Sequence, residues 1–172
     1  MALIIQNDLG SQAGANSYVT MAEYIAYWLE RNVTIVDSVA VEADLISATS
    51  YLDSRYKYCG YKLNGRVQTT DWPRTGVTDH SVCPSELVEG VPQEIKDAQC
   101  EYANIHSAQG TLQPNEALTG GIKKEKKGIG SLSKETEYCG CASSGGVISY
   151  PVADNKIPDD FKCNSNGELI HE

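Results

Sequence analysis

The residues best equipped for chemistry are six cysteines (Cys59, Cys83, Cys100, Cys139, Cys141, Cys163) and a lysine run at Lys123, Lys124, Lys126 and Lys127. A structural zinc site draws on two ligand pairs, each pair two to four residues apart. This chain offers one close pair, Cys139-Gly140-Cys141, at a spacing too short for the common zinc knuckle, so no metal ligand is assigned. Cys100 falls in a helical stretch and reads as a small packed side chain, as free thiols commonly are. Cys139, Cys141 and Cys163 fall in a small-residue, polar tail with no local core to hide them. They are candidates for disulfides to a neighbouring subunit or a partner protein once the chain meets oxidising surroundings.

Hydrolytic chemistry lacks its parts. His80, His106 and His171 are scattered, and the chain contains no G-x-S-x-G elbow, H-E-x-x-H helix, P-loop or G-x-G-x-x-G turn. His106 lies late in an expected helix, where a protonated ring suits the negative helix end. The sequence nominates no catalytic residue, no cofactor-binding residue and no cofactor, and the expectation is a protein that is not an enzyme.

The lysine run could serve nucleic acid. Residues 120–137 hold five lysines and three glutamates, whereas the whole chain is acidic, with formal net charge −9. A general nucleic-acid binder shows a basic face, and single-strand binders add aromatic side chains on which bases stack. No aromatic interrupts these lysines. They read as a solvated strand face, or as a partner for acidic protein surface.

Three helices must position whatever the chain presents. Thr20 and Glu23 form a capping box, with Met21, Tyr24, Ile25, Trp28 and Leu29 on one face of a helix ending near Arg31-Asn32. A second helix is expected from about Val41 to Tyr56, opened by Asp37 or Ser38, with Leu45, Ala48, Thr49 and Leu52 inward. A third begins at Pro92, buries Ile95, Ala98, Tyr102 and Ile105, and stops at Gly110. Between the second and third, residues 57–90 read as irregular, broken by Gly and Pro. Within them Trp72 reads as a large apolar cap on the helices, and Arg74 as the partner of a carboxylate here or across a subunit boundary. Alternation around Gly128 and Gly130 predicts a hairpin over Ile122–Tyr138. From Cys139 onward the composition predicts an extended arm that orders only against a partner and that can be removed without unfolding the helices. The expected architecture is mainly α: a small bundle of three main helices (1–118), a β hairpin (119–138) and an extended C-terminal arm (139–172). No apolar run approaches a membrane span, and no signal pattern opens the chain, so no membrane partner is expected.

An ordered series of blocks carries a resemblance: A-N-S-Y-V-T (15–20), A-T-S-Y-L-D (48–53), W-P-R (72–74), V-P-Q-E-I-K-D-A (91–98) and G-I-K-K-E-K-K-G (121–128). Together they resemble the small head-to-tail adaptors of tailed bacteriophages, a family also labelled DnaT-like single-stranded-DNA-binding. The resemblance implies a structural virion protein at the head–tail junction, made in the host cytoplasm. It implies a homo-oligomeric ring of about a dozen copies beneath the portal. Its partners would be the portal protein, a neck, stopper or tail-terminator protein, and double-stranded DNA passing through the lumen without sequence-specific binding. Trp72, Arg74, Lys123, Lys124, Lys126 and Lys127 become candidate subunit or portal contacts. The alternative that the resemblance carries is a DnaT-like single-stranded-DNA-binding replication protein.

Overall fold

The computed structural model describes residues 2–36, 38–112 and 149–163, together with the backbone of 124–129 and 132–137. It divides into two compact units, one comprising Met1–Leu112 with Tyr150–Glu172 and the other Gln113–Ser149.

The first unit is built on three helices. In α1 (Met21–Leu29) the Thr20 hydroxyl accepts the Glu23 N–H, and the Glu23 carboxylate accepts the Thr20 N–H. This reciprocal cap satisfies backbone donors that the first turn leaves free. Tyr24, Tyr27 and Trp28 are buried, while Leu29 points to solvent. Tyr27 thus takes the inward place expected of Leu29, because its hydroxyl finds the buried Glu101 carboxylate at 2.7 Å. Asn32, at φ 59°, turns the chain out of the helix.

α2 (Val39–Arg55) is capped by Ser38 and buries Leu45, Ala48, Thr49 and Leu52 as expected, with Tyr51 in addition. α3 (Gln93–Gln109) takes Pro92 as its N-cap rather than as its first residue. It ends where expected, at Gly110 in the left-handed region with φ 75°. Ile95, Ala98 and Tyr102 are fully buried, whereas Ile105 is only half-buried. Each fully buried large apolar side chain contributes about 1.5–3 kcal/mol.

Residues 57–90 hold two minimal antiparallel pairs: β1 (Tyr61–Lys62) with β2 (Arg74–Thr75), and β3 (Thr78–Asp79) with β4 (Glu86–Leu87). Two-residue strands leave no periodicity to read, which is why the sequence predicts only irregular chain there. Gly60 (φ 67°) sits so close to Thr75 that a Cβ would strike its carbonyl oxygen.

Residues 150–163 of the expected extended arm are corrected by the structure, and 139–148 and 164–172 lie outside the described residues. Residues 150–163 return to the helices as the short helix α4 (Pro151–Asp154) and a 3-10 turn (Asp159–Phe161). Ala153, Ile157 and Phe161 are buried, and the Phe161 ring lies 5.3 Å from that of Trp72. Few in number and spread along polar sequence, these residues carry no helical period, so composition alone reads the segment as unable to pack.

The second unit contains the expected hairpin, β5 (Lys124–Ile129) antiparallel to β6 (Leu132–Glu137). The register sets Lys124 opposite Glu137, Lys126 opposite Glu135 and Lys127 opposite Lys134.

Candidate interaction surfaces

Most of the chain's polar invention goes into tying loops to helices. Gln99 sits in the apolar stripe of α3 yet is fully buried. Its carbonyl accepts the Tyr18 N–H at 3.0 Å, and its amide donates to Ser17 Oγ and to the Leu45 carbonyl. One side chain thereby fixes the Ala15–Thr20 block against both long helices. A glutamine between Ile95, Ala98 and Tyr102 was the sequence signal for this role.

Asp53, on the last turns of α2, accepts the Tyr18 hydroxyl at 2.6 Å and the Asp71 N–H at 3.1 Å. The Tyr18 hydroxyl in turn accepts the backbone N–H groups of Asp71 and Trp72. Burial raises the Asp53 carboxyl to about 7, with the neighbouring Asp71 charge adding to the rise. The bonds from Tyr18 and Asp71 and the Lys62 ammonium oppose the shift without cancelling it. Lys62 pairs with Asp71 at 2.8 Å. These groups border an open cleft of about 780 Å³, lined also by Tyr61 and by Cys59 and Cys163.

The W-P-R block is spent inside the molecule. Trp72 is fully buried, so it has no surface to offer a subunit or portal, contrary to its candidacy as a contact residue. Arg74 reaches carbonyls and no carboxylate among the described residues. Its Nε donates to Cys59 O at 2.6 Å, and its Nη2 to Tyr58 O and Gly60 O at 3.1 and 2.8 Å. Five N–H donors in a rigid fork suit a loop whose carbonyls converge, so Arg74 organises the β1 approach instead of bridging charges.

The C-terminal return is held by Asp154. Its carboxylate accepts hydroxyls from Tyr102 and Tyr56, the Tyr150 N–H at 2.9 Å and the Arg55 guanidinium at 3.0 Å. Burial alone would raise its pKa; the donors and Arg55 outweigh it and hold the carboxyl below the usual range. Cys163 closes a disulfide with Cys59, 104 residues away in sequence. The Cys163 N–H donates to Lys57 O, and the Cys59 N–H to Phe161 O, as in a short strand pairing. The intersubunit bridge considered for Cys163 is thus corrected to a bond within the chain. Cys139 and Cys141 lie outside the described residues, as does Lys123. The side chains of Lys124, Lys126 and Lys127 are likewise outside them, and their backbone forms β5. Cys100 is a buried free thiol, as expected, and Cys83 an exposed one.

Neither described histidine sits in a catalytic set. His106 pairs with Asp44 at 2.7 Å, and the His80 ring meets Ser85 Oγ at 3.1 Å on an exposed loop. Among the described residues no group of three or more His, Cys, Asp or Glu could hold a metal ion, and no helix is long and apolar enough to cross a membrane.

No curated protein and no solved structure matches this chain. A family model does match, over residues 1–169, and its description is "Putative DnaT-like ssDNA binding protein". That match spans nearly the whole chain, and the protein belongs to this DnaT-like family.

Proposed function

We propose that the protein is a structural component that works by assembly, a head-to-tail adaptor of a tailed phage particle. Copies would form a ring beneath the portal, join it to the next neck or tail component and let double-stranded DNA pass. It would turn over no substrate and need no cofactor. The observation that carries this reading is the charge distribution. The first unit holds 9 basic and 19 acidic residues, against 5 and 4 in the second. An acidic surface repels a DNA backbone, which suits a channel wall that must not adhere to its cargo. Among the described residues Tyr61 is the one aromatic with most of its surface exposed. A stacking track for a single strand needs several such side chains beside a basic groove. The ordered blocks from Ala15 to Gly128, which resemble phage adaptors, supply the portal and neck as partners. Purified protein mixed with portal rings and imaged by electron microscopy should add a layer of density to one portal face. Bare portals at saturating protein would reject the adaptor role.

A second reading, single-stranded-DNA binding in replication, is favoured by the family's own description and by four lysines within residues 123–127. Anisotropy of a labelled oligonucleotide decides between them. The adaptor reading expects weak binding at physiological salt. Submicromolar affinity, lost when Lys123, Lys124, Lys126 and Lys127 become Glu, would establish the second reading instead.

A further inference from the structure

The C-terminal return is latched at two points of different chemistry. Near its start Asp154 holds α4 to Tyr56, Tyr102 and Arg55, groups that no thiol attacks. At its end the Cys59–Cys163 disulfide ties it to the chain just before β1. Each cysteine is only 8% exposed, yet both border the open cleft that Asp53, Asp71 and Lys62 also line. The bond therefore sits at a wall of that cleft and not within the helical core.

Cations gather beside this disulfide. The Cys163 N–H pairs with Lys57 O and the Cys59 N–H with Phe161 O. Strand alternation then sets Lys57 on the same face as both cysteines. Lys57 is exposed and has no ion-pair partner among the described residues. Arg74 is fixed by the carbonyls of Tyr58, Cys59 and Gly60, which places a guanidinium next to Cys59. The nearby carboxylates are engaged: Asp71 by Lys62, Asp159 by Lys162 and Asp160 by the His80 N–H. Asp53 keeps its proton up to about 7. A disulfide opens when a thiolate attacks one sulfur and the other departs as a thiolate, and neighbouring cations favour both events. The acidic character of the whole chain weighs less, because at physiological salt exposed charges more than about 8 Å apart are largely screened.

We propose that the Cys59–Cys163 disulfide is a thiol-exchange site of the folded protein, reached from the cleft by a small anionic thiol of the glutathione class. The incoming thiolate bonds to Cys163 Sγ as the S–S bond breaks, and the electron pair leaves on Cys59 Sγ beside Arg74. A second small thiolate attacks the small-thiol sulfur of this mixed disulfide and releases Cys163 as a thiolate. One protein disulfide is reduced and two small thiols are oxidised to their own disulfide, their protons passing to Cys59 and Cys163. Opening this latch loosens the end of the return and leaves α4 held by Asp154. The site is independent of the assembling reading and adds a redox response to the fold.

The experiment treats the oxidised full-length protein with reduced glutathione under native conditions. Reduction of the Cys59–Cys163 pair is followed by thiol blocking and peptide mapping. The rate should rise in proportion to glutathione and stay nearly constant when sub-denaturing urea is added. A rate that climbs with urea along the global unfolding equilibrium would overturn the proposal, because the bond would then open only in unfolded chains. Lys57→Glu, an exposed change, should slow glutathione about threefold and the less charged 2-mercaptoethanol by less. Equal rates for wild type and variant would reject attack from the cleft. The mixed disulfide captured by acid quenching should map to Cys163; capture on Cys59 would overturn the assigned attack. In the reduced protein the Cys59 and Cys163 amides should exchange hydrogen faster, while the Tyr150 amide on Asp154 stays protected and the melt stays cooperative. Loss of that protection on reduction would show that the two latches are one, and would overturn the proposal.

Discussion

Asp53 and Asp154 are both carboxylates drawn in beside α2, yet the molecule holds them in opposite states. Asp154 meets two tyrosine hydroxyls, a backbone N–H and the Arg55 guanidinium, and stays ionised well into acid. Asp53 meets one hydroxyl and one backbone N–H, lies beside the like charge of Asp71, and holds its proton up to about 7. Burial pushes both upward and dominates at the more deeply enclosed Asp53, whereas at Asp154 the donors and Arg55 outweigh it. Each ties a distant segment to the helical core: Asp53 the Tyr18 and Trp72 loops, Asp154 the C-terminal return.

The comparison breaks most completely if the C-terminal return is removed. Ending the chain at Ser149 strips Ala153, Ile157 and Phe161 from Trp72 and the tyrosine cluster, and also removes Asp154 and the disulfide. The loss should exceed about 5 kcal/mol, comparable to the whole stability of a domain this size, so the truncated chain should lack a cooperative melt by circular dichroism. A sharp melt near the wild-type temperature would show that the return is a passenger. Asp154→Ala, which removes the acceptor shared by Arg55, the Tyr56 and Tyr102 hydroxyls and the Tyr150 N–H, should cost about 3–5 kcal/mol in urea denaturation. Cys163→Ser should cost about 2–4 kcal/mol, and reductant should lower the wild type to the same level while leaving the variant unchanged.

A pH titration separates the two carboxylates directly. Asp53 is bound to its proton in the folded chain up to about 7, whereas an unfolded aspartate loses its proton near about pH 4. Between these values the folded state binds more protons, so stability falls as pH rises, by roughly 2–4 kcal/mol in all after allowing for solvent at the cleft. Asp154 acts in the opposite sense: its contribution is complete above about pH 4 and lost as pH drops further. Stability should therefore be greatest around pH 4–5. Asp53→Asn should flatten the fall toward neutrality and leave the acid limb in place. An unaltered slope between pH 5 and 7 in that variant would assign it to other groups.

The three helices, the Thr20–Glu23 box, the Gly110 stop and the hairpin were legible because capping and periodicity are local properties of sequence. Asp53 and Asp154 were not, because each acts on residues distant in sequence and neither carries a local motif; for Gln99 the only signal is a polar residue set in the apolar stripe of α3. The C-terminal return misleads for a related reason. Judged as an isolated segment, 150–163 has too little apolar surface to order itself, yet Phe161 needs only the Trp72 face that the W-P-R turn has already built. Trp72 is buried, as its reading as an apolar cap on the helices expects, and Arg74 meets backbone carbonyls instead of a carboxylate, since nothing local says that converging carbonyls await the guanidinium. Leu29 is exposed where the helical period places it inward, because Tyr27 takes the inward position through its bond to Glu101.

The central claim is that this chain acts by assembling into a particle. Its most direct test is to locate the chain in purified phage particles by mass spectrometry and cryo-electron microscopy of the neck. The account predicts a ring of this protein seated against the portal, present in every DNA-filled particle. Its absence from purified particles, with abundant protein left in the infected cytoplasm bound to single-stranded DNA, would contradict the account.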